Sequence, residues 1–108
     1  MSGSAGAGAG ADGEGADPVA AAVRAGVALG RVLFNRADYW ASHEAFETAW
    51  RIAPPGDRDT IQGLILAAAA FHKLIVHDNP RGATRLLDSA RARLAGASGA
   101  DLGIALDP

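Results

Sequence analysis

Four stretches of this 108-residue chain repeat apolar residues every three to four positions, and no stretch alternates apolar with polar. That spacing is the period of an α-helix and not of a strand, so the chain is expected to be all-α. Proline and cap residues mark where each helix begins. Asp17-Pro18 opens the first, with Pro in the first helical position. It runs to about Phe34, with Val19, Val23, Val27 and Phe34 near one face and Ala22, Gly26, Leu29 and Leu33 beside them. Gly26 and Gly30 lower its helix propensity and point to close approach of another helix.

After the break at Asn35-Arg36, Asp38 caps a second helix running to about Ile52, which the loop Ala53–Asp57 ends. A third helix, about Arg58–Val76, is apolar almost all round, as a central buried helix would be. His77-Asp78-Asn79-Pro80 is the next break. Asn79 caps the fourth helix, whose stripe is Ala83, Leu86, Leu87, Ala90 and Leu94, with Arg85, Asp88 and Arg91 outside it. Short connections between long helices make sequential neighbours antiparallel, so the expected architecture is a small up-and-down bundle of four helices.

Composition bounds the rest. Residues 1–16 contain six Gly and no large apolar residue after Met1, so they are expected to be a disordered tail. Residues 96–108 form a second Gly- and Ala-rich tail, which leaves 17–95 as the folded domain. Roughly 80 residues make a small core, which leaves room for a homodimer. The absence of Cys excludes disulfides and thiolate sites. Residues 18–95 carry ten basic and seven acidic groups, a balance of +3 dispersed along the helices. That is too weak a field for a nucleic-acid binder. The longest apolar run, Leu64–Phe71, is far short of the roughly 20 residues a membrane span requires. A soluble cytoplasmic protein is the default expectation.

The second helix carries the candidate chemistry. Tyr39, His43, Phe46, Trp50 and Ala53 share a stripe, with Glu47 on its edge and Glu44 one residue round. These give the string H-E-x-x-E between Trp40 and Trp50. The plain reading pairs Glu47 with Arg51 at i,i+4 on a solvated face. The sharper reading uses the hairpin about Pro54–Gly56, which sets residues summing to about 110 opposite one another. Gln62 then comes within reach of a buried Glu47, and His72 shares a pocket with His43. The ligand-binding candidates are therefore His43, Glu44, Glu47, Trp50, Gln62 and His72. His43, Glu47 and His72 are also the bare minimum of three ligands for one metal ion, although no cofactor is expected. At the start of the fourth helix, Asn79, Arg81 and Gly82 are anion-binding candidates, because helix N-termini offer free N–H groups. The competing reading there is an ion pair to Asp78 or Asp88.

The run Tyr39-Trp40-Ala41-Ser42-His43-Glu44-Ala45-Phe46-Glu47-Thr48-Ala49-Trp50 resembles the aromatic-x-x-x-H-E-x-x-E-x-x-W signature of domain-of-unknown-function family 309. Ile61-Gln62-Gly63-Leu64-Ile65 with His72, and Asn79-Pro80-Arg81-Gly82-Ala83 with Leu86-Leu87, are similar to its second and third signatures. The resemblance covers about residues 29–95 and departs from the pattern at Leu66, where a polar residue is common. It implies a small all-helical fold and no particular reaction. It also marks Gly63, expected to let the second and third helices approach closely.

Two readings of function follow. One is a non-catalytic helical module whose His/Glu/Gln cluster fixes packing and receives a small ligand or a protein partner. The other is a metal-dependent hydrolase using His43, Glu47 and His72. The first is favoured, because too few ionisable groups face inward to supply nucleophile, base and charge stabiliser together.

Overall fold

The computed structural model describes residues 17–95; the expected tails, 1–16 and 96–108, lie outside the described residues. Four helices follow in order: α1 (Pro18–Asn35), α2 (Tyr39–Ile52), α3 (Pro55–Ile75) and α4 (Pro80–Leu94). No strand occurs among the described residues. The all-helical bundle is as the periodicity implies. No described helix is long and apolar enough to cross a membrane.

The ends of the helices show why the chain breaks where it does. The Asp17 carboxylate accepts hydrogen bonds from the backbone N–H groups of Val19 and Ala20. Asn79 Oδ1 accepts from Gly82 N–H. Between α1 and α2, Ala37 N–H donates to the Phe34 carbonyl and Asp38 N–H to the Leu33 carbonyl, with Ala37 at φ 63°. This is the Schellman closure, in which a left-handed residue lets the last carbonyls of a helix be satisfied. Asp38 is thus both the end of that closure and the residue before α2, and its side chain makes no cap hydrogen bond. The helix α3 begins at Pro55 rather than near Arg58, because proline is compatible with the first turn of a helix. Only Ala53 and Pro54 then separate α2 from α3.

Each helix packs on its neighbour in sequence: α1 on α2, α2 on α3, and α3 on α4. The core is built where α2 lies between α1 and α3, from Val23, Val27, Phe46, Ala49, Ala53, Ile61, Ile65 and Ala68. Small residues set the spacing. A Cβ on Gly26 would come 2.9 Å from Ala49 Cβ, and one on Gly30 would fall on the Phe46 ring. The close approach expected of these two glycines is therefore made to α2. Gly63 differs from expectation. A Cβ there would meet Leu94 at 2.7 Å and the Ala90 carbonyl at 3.3 Å, so it admits α4 and not α2. Leu29 also differs: it is 53% exposed, because α1 packs on one neighbour and buries only a narrow stripe.

Candidate functional site

The α2–α3 hairpin has the register that its short connection imposes. Tyr39 stacks on Phe71 with ring centroids 5.4 Å apart, and Trp40 lies 5.4 Å from His72. These pairs sum to 110 and 112, close to the expected pairing. At this end of the bundle Phe34 joins Tyr39 and Phe71, edge-on to both. The resulting aromatic knot fixes the start of α2 against the last turns of α3.

Above the knot sits a chain of rings. The His43 imidazole is nearly parallel to the Trp40 indole, 6° between planes and 5.0 Å between centroids. His72 tilts against the same indole at 43°, and His77 meets His72 edge-on at 5.1 Å. Trp40 remains 52% exposed. Ile75 and Val76, in the turn beyond His72, are 64% and 60% exposed. Nδ1 of His43 is buried and has no hydrogen-bond partner. Buried polar atoms are nearly always paired, so an orphaned one calls for an explanation. His43 and His72 thus each contact Trp40, which the sequence marks only as a flank of the H-E-x-x-E string.

The carboxylates go elsewhere. Glu47 accepts a hydrogen bond from Arg51 at 3.1 Å and its side chain is 42% exposed. It makes no bond to Gln62 or His43, so the buried Glu47 of the sharper reading is corrected to the i,i+4 surface pair. The reason is angular: on α2, Glu47 lies about 160° from Ala45 and Ala49, the side that meets α1, and about 60° beyond Trp50, which meets α3. Glu44 is exposed. Gln62 lines a shallow depression with Trp50, Arg58, Asp59 and Arg93, one end of which is closed by the Arg93–Asp59 ion pair at 2.7 Å. Trp50 is partly buried against the core, and the Arg58 guanidinium covers its ring at 4.5 Å. Arg58 also donates to the Ala53 and Arg51 carbonyls, satisfying the C-terminal end of α2. Among the described residues, no group of three His, Cys, Asp or Glu is placed to hold a metal ion. The triad His43, Glu47 and His72 does not converge.

At the start of α4, the Asn79 amide occupies the position an anion would need: its Oδ1 takes the Gly82 N–H, and a Cβ on Gly82 would meet the Asn79 side chain at 2.7 Å. Gly82 is there to admit its own cap. Arg81 is exposed, and Asp88 pairs with Arg91 at 3.7 Å and not with Arg85.

One buried polar position lies outside the His43 stripe. Ser42, about 100° round the helix from His43, is fully buried, and its Oγ donates to the Gly30 carbonyl at 2.7 Å. The signal for it is the run Ser42, Ala45, Ala49 opposite Gly26 and Gly30, small residues at helical spacing on both partners.

The family model for a domain of unknown function (DUF309) matches residues 27–86, from the middle of α1 to the middle of α4. The chain belongs to the DUF309 family. The match takes in the whole α2–α3 hairpin and the ring chain of this DUF309 protein. No curated protein and no solved structure matches it.

Proposed function

We infer that this DUF309 chain is a non-catalytic recognition module that takes a small ligand or a partner's side chain on the Trp40 face. The observation that carries this reading is the half-exposed Trp40 indole in contact with two imidazoles, His43 and His72. Large exposed aromatic and aliphatic side chains at one end of a small domain mark interaction sites. Tryptophan in particular is enriched among residues that dominate binding energy. Ile75 and Val76 extend the same end of the molecule with apolar surface. His43, packed on the indole, carries the one buried side-chain polar atom without a partner among the described residues. The geometry of the described residues does not favour hydrolysis: Glu47 is tied to Arg51, and among them no nucleophile is hydrogen-bonded to an imidazole that another group orients. Cytoplasmic residence is part of the same proposal.

The test uses NMR with a set of simple aromatic and aliphatic fragments. The two indole N–H resonances report the two sites separately, Trp40 on the ring chain and Trp50 under Arg58. The expected result is that binding fragments shift the Trp40 signal and the His43 and His72 ring signals, and that Trp40→Ala abolishes the binding. Fragments that gather at Trp50, or none that bind, would contradict the reading.

A further inference from the structure

The outward side of α1 is an apolar surface that the other helices leave uncovered. With 100° between successive residues, Pro18, Ala21, Ala22, Ala25, Ala28, Leu29 and Val32 fall on one arc, and every one of them is exposed. The charged residues of α1, Arg24 and Arg31, lie off this arc, so an edge helix faces away from its own core with four turns free of charge. A solvated edge helix is ordinarily polar on that side. Leu29 and Val32 are 53% and 46% exposed. Contiguous apolar surface of this kind on a small protein marks an interaction site.

The order of residues on the arc identifies the occupant. The positions are symmetric about Ala25. In an antiparallel pair of α1 helices related by a twofold axis at Ala25, Ala25 faces itself, Ala22 faces Ala28, Leu29 faces Ala21, and Val32 faces Pro18. Each large side chain therefore meets a small residue or a proline ring. The same patch must serve both copies of a twofold dimer, and this sequence of large and small residues is complementary to its own reverse. The charges agree. Asp17 caps the start of α1, and Arg36 caps its end on the same arc, one turn past Val32. Antiparallel pairing brings Asp17 of one copy close to the level of Arg36 of the other, twice, and sets each helix N-terminus beside a C-terminus, which the helix dipoles favour.

We propose that α1 is a self-association surface, through which two copies of this chain pair antiparallel about Ala25. A single pair of helices sits at the small end of specific interfaces, below about 1,200 Å² in total, so the dimer is expected to dissociate in the micromolar range. This surface lies on α1 and is separate from the Trp40 face, so either proposal can fail without the other.

The chain has no Cys, so a single introduced one is a clean probe. In Ala25→Cys the two thiols face across the axis, within the Cα separation that a disulfide spans. Mild oxidation of the full chain should give a covalent dimer at least about tenfold faster than in Ser89→Cys, on the exposed side of α4, since only the former is positioned by the pairing. Sedimentation of the unmodified protein should show the mass rising from one chain toward two with concentration. Leu29→Arg should hold it at one chain with an unchanged helical spectrum and, at dilutions where the unmodified protein is also a single chain, an unchanged thermal midpoint. A single-chain mass throughout would overturn the proposal and leave this face to another occupant. Equal cross-linking at positions 25 and 89 would also overturn it. So would a dimer that survives Leu29→Arg and is lost in Trp40→Ala, since the copies would then pair through the other end.

Discussion

Ser42 and His43 are adjacent, yet the helix turns them toward different tasks. Ser42 points into the α1–α2 contact, where its hydroxyl donates to the Gly30 carbonyl. A hydroxyl buried without a partner would cost about 1–3 kcal/mol, and this bond removes that cost while letting the two backbones come close. Removing it by Ser42→Ala leaves a small void but no orphaned donor. The expected loss of unfolding free energy is about 0.5–1.5 kcal/mol, measured by urea denaturation with an unchanged m-value. His43 turns the other way and stacks on Trp40. Glu47 turns further still and pairs with Arg51 on the surface, where such a pair is worth at most a few tenths of a kcal/mol.

At the scale of the elements, the helix boundaries were the most legible part of the sequence, because proline and cap chemistry act locally. Asp17-Pro18 and Asn79-Pro80 start helices as their chemistry requires. The α2–α3 register was legible too, since a connection this short fixes the pairing. The candidate site was legible only in part. One stripe was read on α2, as though it had a single neighbour. It has two, α1 and α3, so the buried surface splits into a Ser42–Ala45–Ala49 side and a Phe46–Trp50–Ala53 side. That split buries Ser42 and leaves Glu47 at the rim. Gly63 was assigned to the wrong neighbour for the same reason, since α3 also packs on two helices. The turn between α1 and α2 offers a test of how locally the boundaries are set. Ala37 holds a left-handed conformation that costs an L-residue about 1–2 kcal/mol, whereas glycine adopts it freely. Ala37→Gly is expected to stabilise the protein by about 0.5–1 kcal/mol, seen as a higher thermal midpoint. A lower midpoint would mean that the turn does not hold this geometry.

For the whole molecule, sequential packing of four helices creates two exposed apolar regions at different places, the Trp40 end and the outer side of α1. It also separates the H-E-x-x-E string into imidazole packed on indole and carboxylates turned to solvent. That separation is the central claim, because a converged His43, Glu47 and His72 would make a metal site instead. The direct test is the thermal midpoint with and without excess Zn²⁺, in the unmodified protein and in Glu47→Ala. Metal bound to the folded state raises the midpoint by mass action, and histidine pairs such as His72 and His77 can produce some rise without any carboxylate. The dependence on Glu47 is therefore the decisive quantity. The same response to Zn²⁺ in both proteins is the predicted result; a rise that vanishes in Glu47→Ala would contradict the separation and place Glu47 on a metal with the two histidines.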